Sequence, residues 1–261
     1  MIGVFDSGIG GLTVLAWIRQ RLPDAPLVYV ADQKHNPYGS KPDWALQQRC
    51  DSIADWLINQ GATVLVVACN TATAHCIDAL RKRHSIVIVG VEPGIKPAAL
   101  GSRSGSIGIL ATENTLASER YQSLAARFNP NTRIFNQSCP HLADAIELGP
   151  DNPDIDRLLH EYVPGLVEEG VDRLVLGCTH YPLVRSKIQA LTGEHIQLID
   201  TGEAIAAEVG RRYQPEPAAV STRLITTGSL ERLERLIEAW PMLKDAFGNA
   251  VCEVAPEGLA G

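Results

Sequence analysis

Two cysteines in this sequence each follow a short apolar run of the kind that forms a buried strand. Residues 64–68 precede Cys69, and residues 174–176 precede Cys178 by one glycine. A threonine follows each thiol within two residues. Because ligands bind beyond the carboxyl ends of strands in open α/β sheets, the pattern predicts a site with one thiol on either side. A free cysteine is most often a small buried hydrophobe, but a matched pair at strand ends favours a role in chemistry.

Other groups that can exchange protons lie close to these strand ends. His180 is two residues after Cys178, and Asp6 follows the first apolar run at residues 2–5. Asp6 is therefore a candidate acid or base, with a turn or N-cap aspartate as the alternative. The turn at residues 7–11 is rich in glycine and precedes a helix, an arrangement that can bind an anion. It matches neither the dinucleotide fingerprint nor the Walker motif, so we interpret it as room for a small ligand to approach the backbone.

Composition is that of an ordinary soluble globular protein, with 45% hydrophobic and 20% charged residues in a chain of 261. The net charge of −7 argues against nucleic acid or an anionic membrane as the main partner. We expect no signal peptide and no membrane span, and hence a cytoplasmic protein with reduced thiols. The six cysteines form no CxxC pair, and no second ligand pair completes Cys69 with His75 or Cys178 with His180. The sequence therefore predicts no metal site.

Strand and helix patterns alternate along the chain, and their spacing repeats. Asp6 and Cys69 are 63 residues apart, Thr112 and Cys178 are 66 apart, and a further 23 and 22 residues lead to acidic residues at 92 and 200. This repeat predicts an α/β fold of two similar doubly wound domains related by a pseudo-twofold axis, with the active site in the cleft between them. We expect one domain to hold residues 1–96 and 210–261, and the other residues 97–209.

Four finer expectations follow from the same pattern. A single helix should end near residue 127, and another should run over about residues 155–169. A strand near residue 225 should return to the first domain. The last residues, 255–261, should be loose.

Five motifs give the sequence a resemblance to a known family. They are Phe5-Asp6-Ser7-Gly8-Ile9-Gly10-Gly11-Leu12-Thr13, Pro37-Tyr38-Gly39, Ala68-Cys69-Asn70-Thr71-Ala72, Gly90-Val91-Glu92-Pro93 and Gly177-Cys178-Thr179-His180-Tyr181-Pro182-Leu183. In this order they resemble the motifs of the bacterial glutamate racemase family, over about the first 210 residues. The resemblance implies a cofactor-independent interconversion of L- and D-glutamate that supplies D-glutamate for peptidoglycan.

The resemblance also implies roles for individual residues. Cys69 and Cys178 match the two catalytic acid/bases of the family. Asp6 and His180 match the groups that assist them, and Glu147 matches a further acid near the second cysteine. The positions that match substrate contacts are Ser7, Pro37, Tyr38, Gly39, Asn70, Thr71, Thr112, Thr115 and Thr179.

Two segments depart from the residues usual in the family. His141 and Asp144 are unusual in the stretch that leads to Glu147, and residues 33–36 replace a commoner Thr-Ala-Arg and an apolar residue. Some relatives carry an N-terminal extension linked to activation by a cell-wall precursor. Because this chain begins on its first predicted strand, such regulation is not expected.

Racemisation by two bases explains why one thiol is needed on each wall of the cleft. One thiol removes the α-proton from one face, the other returns a proton to the opposite face, and the roles exchange with direction. A free thiol has a pKa near ~8.5, so the attacking thiol needs help, for which Asp6 near Cys69 and His180 near Cys178 are suitable. The alternatives are a related racemase that acts on aspartate or a hydantoin, and a two-lobed amino-acid-binding protein. The oligomeric state stays open, a homodimer included.

Overall fold

The structure is a computed structural model that describes residues 1–128, 130, 132–215 and 219–260. Within these residues the strands are β1 (Ile2–Asp6), β2 (Leu27–Ala31), β3 (Val64–Val67), β4 (Val87–Gly90), β5 (Ser106–Ala111), β6 (Arg133–Ser138), β7 (Arg173–Leu176), β8 (Gln197–Ile199), β9 (Thr222–Thr226) and β10 (Val251–Val254). The helices are α1 (Leu12–Arg21), α2 (Asp43–Asn59), α3 (Asn70–Arg83), α4 (Ile95–Gly101), α5 (Glu113–Ala117), α6 (Glu119–Ala126), α7 (Leu142–Glu147), α8 (Pro153–Tyr162), α9 (Pro164–Glu168), α10 (Arg185–Thr192), α11 (Gly202–Arg212), α12 (Leu230–Ala239), α13 (Pro241–Phe247) and α14 (Glu257–Ala260). Short 3₁₀ helices lie at Gln33–His35, Tyr38–Ser40 and Tyr181–Val184.

The strands form two parallel sheets with the same internal order. The larger sheet runs β10-β9-β2-β1-β3-β4, and the smaller runs β6-β5-β7-β8. The order β2-β1-β3-β4 therefore recurs as β6-β5-β7-β8, as the repeated spacing of the sequence predicts. The tail strands β9 and β10 extend the larger sheet beside β2, which confirms the predicted return of the tail to the first unit.

Each sheet is covered on both faces because its strands are apolar on both faces. In β1, Ile2 and Val4 belong to one core cluster and Phe5 to another, since successive side chains point to opposite faces. In β5, Ile107 and Ile109 pack on one face, whereas Leu110 packs on the other. Burial of such a side chain stabilises the fold by roughly 1.5–3 kcal/mol. The predicted α/β class with doubly wound parallel sheets is confirmed.

The structure corrects the finer expectations at helix ends and at the tail. The predicted helix near residue 127 divides at Ser118, whose hydroxyl caps α6 by accepting from the Tyr121 amide at 3.2 Å. The predicted helix over residues 155–169 divides at Pro164, which has no amide hydrogen to donate. Residues 255–260 are not loose, because Leu259 is buried and its carbonyl accepts from Arg49 at 2.9 Å. Residue 261 lies outside the described residues.

Two helices lie near the predicted limits of the domains. Helix α4 packs against β5 and β7 of the smaller sheet, whereas α11 packs against α1 and β4 of the larger one. Because α11 crosses residue 209, the limits 1–96, 97–209 and 210–261 stay a prediction. None of the helices described here is long and apolar enough to cross a membrane.

Candidate active site

Both predicted cysteines line one cavity of about 290 Å³ at the carboxyl ends of the strands. Cys69 follows β3 and is the N-cap of α3, and Cys178 follows β7. Each is less than a tenth exposed. Eleven of the sequence-predicted site residues line this cavity: Ser7, Pro37, Tyr38, Gly39, Cys69, Asn70, Thr71, Thr112, Cys178, Thr179 and His180. Asp6, Thr115 and Glu147 lie behind this lining, where they contact residues that form it.

Size alone does not identify the site. A larger hollow of about 920 Å³ lies elsewhere, between residues of β4, α6 and α11, and neither Cys69 nor Cys178 lines it. The smaller cavity holds the convergent thiols, hydroxyls and imidazole, which are the groups that can move protons. We therefore take the smaller cavity as the candidate active site.

On one side of the cavity, Cys178, His180 and Glu147 form a buried relay. The Cys178 Sγ lies 3.7 Å from Nδ1 of His180, and Nε2 of His180 lies 2.8 Å from Oε1 of Glu147. Burial acts to lower the pKa of His180, but the hydrogen bonds to Cys178 and Glu147 outweigh it and hold that pKa well above its usual range. For Glu147, burial raises the pKa, but the hydrogen bond to His180 and its charge leave the pKa below the usual range. The pair is therefore an imidazolium and a carboxylate at neutral pH.

The glycine-rich turn makes room for this relay. A Cβ atom at Gly8 would lie 1.8 Å from Oε1 of Glu147, and one at Gly10 would lie 2.5 Å from Nδ1 of His180. The Ile9 amide donates to Oε1 of Glu147 at 2.6 Å. The sequence predicted that the small residues admit a ligand and that the helix end binds an anion. In the structure, the anion at this turn is Glu147 itself, brought from the other unit.

On the other side of the cavity, Cys69 lies near the buried Asp6. Burial raises the pKa of the Cys69 thiol, and the negative charge of Asp6 raises it further. The Ala72 amide acts the opposite way by donating to Sγ at 3.5 Å. Cys69 is therefore a neutral thiol, able to give up a proton rather than to take one.

Asp6 acts both as a turn residue and as a link to the second cysteine loop. Its Oδ1 accepts from the Gly8 amide at 2.9 Å, and its Oδ2 accepts from the Thr179 hydroxyl at 3.0 Å. Burial raises the pKa of Asp6, and the positive charge of His180 opposes that rise. Oδ1 of Asp6 therefore has the role of a turn aspartate, the alternative that the sequence offered, whereas Oδ2 contacts the loop that carries Cys178.

Other polar groups of the cavity include donors suited to carboxylates. The Thr71 hydroxyl lies 3.0 Å from that of Thr112 and 3.4 Å from that of Thr115, which joins the start of α3 to the start of α5. Nδ2 of Asn70 is buried and has no hydrogen-bond partner among the described residues. An unmade buried hydrogen bond costs about 1–3 kcal/mol, which an acceptor on a ligand would recover.

Tyr38 is fixed at the cavity wall by a buried carboxylate that sequence reasoning did not identify. Its hydroxyl donates to Oδ2 of Asp32 at 2.6 Å. Asp32 also accepts from Arg49 at 2.7 Å and from Thr227 at 2.9 Å. Burial raises the pKa of Asp32, but the hydrogen bonds from Arg49 and Tyr38 outweigh it and keep that pKa below the usual range. An acidic residue directly after a buried strand was the available signal.

Cys139 and Gln33 were also missed by sequence reasoning. Cys139 lines the cavity, and burial raises the pKa of its thiol to about 12. It directly follows β6, so the strand-end rule applied to Cys69 and Cys178 could have found it. Gln33 donates to Oε2 of Glu147 at 3.1 Å across the two units. No sequence pattern links two residues so far apart in the chain.

The unusual residues before Glu147 lie at the mouth of the cavity. His141 has φ 62°, and its side chain is 80% exposed. Its Nδ1 lies 3.5 Å from Oδ2 of Asp144, and both residues line the cavity. Neither displaces Glu147, whose carboxylate still reaches His180. Among the described residues, no three His, Cys, Asp or Glu side chains are grouped in a way that could hold a metal ion.

Known proteins resemble this chain over nearly its whole length. The family model described as Asp/Glu/hydantoin racemase matches residues 13–209. A glutamate racemase of Ectopseudomonas mendocina is 44% identical over 90% of this chain and 92% of its own length. One of Cupriavidus pinatubonensis is 41% identical over 98% of this chain and 96% of its own.

Solved structures of glutamate racemases have the same fold. One from Bacillus anthracis superimposes with a TM-score of 0.87 at 30% identity, covering 99% of this chain and 98% of that one. One from Escherichia coli, in complex with L-glutamate and the activator UDP-MurNAc-ala, gives 0.84 at 31% identity and covers 97% of each chain. The chain belongs to the Asp/Glu/hydantoin racemase family, among its glutamate racemases.

Proposed function

We propose that this protein is a cofactor-independent glutamate racemase that interconverts L- and D-glutamate by two-base catalysis and supplies D-glutamate for peptidoglycan. The observation that carries the proposal is that Cys69 and Cys178, each at the end of a strand in a different sheet, line one cavity. Racemisation needs a base on each face of the α-carbon. Two thiols from two sheets are suited to that requirement.

The two thiols have different surroundings. Cys69 is held as a neutral thiol by burial and by Asp6, whereas Cys178 lies against the His180 imidazolium. We assign removal of the α-proton of L-glutamate to Cys178 and return of a proton to Cys69 on the opposite face. In the reverse direction, Cys69 deprotonates D-glutamate and Cys178 protonates the carbanion. Asp6 would accept protons from Cys69 and return them to it. His180, supported by Glu147, would do the same for Cys178.

The carbanion next to a carboxylate is the costly species, and hydrogen-bond donors must stabilise it. The hydroxyls of Ser7 and Thr179 line the cavity in which the substrate carboxylates would lie, but in this structure both donate to Asp6 and would have to turn away from it to donate to a substrate. Thr71 and Asn70 line the same cavity, and Nδ2 of Asn70 has no hydrogen-bond partner among the described residues. Removal of one such preorganised donor typically costs about 10²–10³ in kcat. A water-excluding cavity strengthens these contacts, and the thiols here are almost fully buried.

Glutamate is favoured over aspartate by the relatives. The curated proteins that are 41–44% identical to this chain carry the name glutamate racemase, and the E. coli structure holds L-glutamate. An aspartate racemase of Picrophilus torridus shares only the fold, at 17% identity. The proposed chemistry requires two reduced thiols and hence a reducing compartment such as the cytoplasm. A homodimer stays a prediction from the sequence.

The direct test is circular dichroism of L-glutamate incubated with the purified protein and no added cofactor. The signal should decay to zero as the racemate forms, and an excess of chelator should leave the rate unchanged. Aspartate at the same concentration is the control substrate and should keep its optical activity. A protein that binds glutamate without changing its optical signal would be the binding protein of the alternative reading.

The assignment of each thiol to one enantiomer is tested by Cys69→Ala and Cys178→Ala. Both variants should lose full racemisation, because reprotonation on the far face needs the missing thiol. In deuterated water, NMR should detect exchange of the α-proton of D-glutamate by Cys178→Ala and of L-glutamate by Cys69→Ala. Exchange of the opposite enantiomer in both variants would invert the assignment.

A further inference from the structure

The carboxylate of Glu147 is held by four groups besides its own helix. Oε1 accepts from the Ile9 amide at 2.6 Å and contacts His180 at 2.8 Å. Oε2 accepts from Nε2 of Gln33 at 3.1 Å and lies 3.9 Å from Arg232, which also donates to the Glu147 carbonyl at 3.2 Å. Glu147 is 2% exposed, so each oxygen depends on protein donors rather than water. Gln33 is the nearest donor to the second oxygen.

The orientation of the Gln33 amide is decided by its other partner. Its Oε1 accepts from the Thr226 hydroxyl at 2.8 Å, and that hydroxyl oxygen itself accepts from the Gly228 amide at 2.9 Å. The Thr226 proton is therefore free to point at Gln33. A flipped amide would turn an acceptor toward the Glu147 carboxylate and lose the donor that faces it. Strand β9 thus fixes Gln33 as a donor toward Glu147.

From this geometry we infer that Gln33 is a positioning residue that holds Glu147 against His180 and thereby sets the proton relay behind Cys178. The inference rests on the proposed two-thiol function. It goes beyond the matched motifs, because Gln33 lies in one of the two segments where the sequence departs from the family's usual residues. Gln33 touches neither thiol, so its effect passes through Glu147.

Five titratable groups face this position from the surrounding elements. Glu147 comes from α7, His180 from the loop after β7, and Arg232 from α12. Asp6 and Tyr29 lie close enough that the Glu147 charge raises the pKa of each. On the short helix of Gln33 itself, His35 pairs with Asp32 at 3.0 Å and so is directed away from Glu147.

Two substitutions separate positioning from a merely structural role. Gln33→Met keeps the length of the side chain and removes the donor, so kcat/KM should fall about tenfold, the value of one hydrogen bond to a charged group. Because Glu147 loses a donor that favours its ionised form, the acid limb of the pH profile should move to higher pH. Gln33→Glu places two carboxylates together, and a single proton shared between them restores a donor to Glu147. Its activity relative to wild type should therefore rise as the pH falls from about 8.5 to 6, by up to about tenfold per unit.

The matched control is Gln47→Glu. Nε2 of Gln47 donates to one oxygen of Asp51 at 2.9 Å, and Arg83 lies 3.8 Å from the other oxygen. A glutamine and an arginine thus also meet a carboxylate here, on residues that do not line the cavity. Its activity relative to wild type should not change with pH. Circular dichroism and a thermal melt establish that each variant is folded.

The outcomes distinguish this inference from the proposed function. If the wild-type protein does not racemise glutamate, the proposed function fails. If wild type is active, two results together overturn the role of Gln33. The activity of Gln33→Glu relative to wild type would not change with pH, and the acid limb of the Gln33→Met pH profile would not move. A folded Gln33→Glu that is inactive at every pH also overturns it. If Gln33→Glu does not fold, the pH profile of Gln33→Met decides alone.

Discussion

Replacement of Gly8 by alanine tests whether the glycine-rich turn exists to receive Glu147. The new Cβ would lie 1.8 Å from Oε1 of Glu147, where real Cβ contacts essentially never come closer than 3.0 Å. The carboxylate must therefore retreat by roughly 1 Å or more in a close-packed interior. Gly8 does not have a positive φ, so the substitution adds no backbone strain of its own.

The expected magnitude follows from the hydrogen bonds that this retreat breaks. Oε1 holds contacts of 2.6 Å to the Ile9 amide and 2.8 Å to His180, and neither survives such a shift. Hydrogen bonds to charged groups contribute about 1.5–3 kcal/mol each. If the contact to His180 alone governs the reaction, kcat/KM should fall about 10- to 150-fold.

A double-mutant cycle shows whether the loss passes through Glu147. Gly8→Ala, Glu147→Ala and the double variant are assayed by racemisation of L-glutamate. Once the carboxylate is gone, the added methyl group keeps only a contact of 3.3 Å with Nε2 of His180, a few tenths of an ångström too close, so the double variant should be little worse than Glu147→Ala. Gly165→Ala is the control, because a Cβ at that helical glycine meets nothing within 4 Å. Additive losses from Gly8→Ala and Glu147→Ala would refute the reasoning.

Two further predictions concern the relay and the unpartnered amide. The pKa of His180 is raised above its usual value of 6.5, and the pKa of Glu147 is lowered from its usual value of 4.5. Their ion pair therefore stabilises the fold fully between about pH 4.5 and 6.5. This stabilisation is lost as the pH rises through the folded-state pKa of His180. Urea unfolding of wild type and His180→Asn should thus differ most near pH 5 to 6, and a difference that does not shrink toward alkaline pH would contradict the assignment. Asn70→Asp replaces a buried donor by a negative charge beside the substrate carboxylates and should lower kcat/KM at least ~100-fold. Asn114→Asp is the control, because that amide donates to the carbonyls of Lys41 and Tyr38, and it should lower kcat/KM far less. Equal losses in these two variants, measured by the same racemisation assay, would exclude a specific role for Asn70.

Local sequence determined the elements and the positions of the thiols along the chain. The apolar runs before Cys69 and Cys178 can only be satisfied by burial on both faces, and they form β3 and β7 as expected. The equal spacing of the two halves predicted two similar α/β units, and the order β2-β1-β3-β4 of one sheet does recur as β6-β5-β7-β8 in the other. The helix breaks at Ser118 and Pro164 also have local causes, a capping hydroxyl and a missing amide hydrogen. The prediction missed both because it rested on the spacing of apolar residues, which continues across the breaks.

Contacts between distant parts of the chain were decided by the tertiary structure alone. Glu147 takes the place that the glycine-rich turn offers an anion, and it arrives there from the other unit. Gln33 and Arg232 reach the same carboxylate from different elements, and Arg49, which binds Asp32, also holds the last helix. Each of these contacts joins residues whose separation in the sequence is unrelated to the 3.6-residue period of a helix or the two-residue period of a strand. Sequence periodicity reports which face of an element is buried, whereas the packing of whole sheets and helices decides which buried polar groups meet.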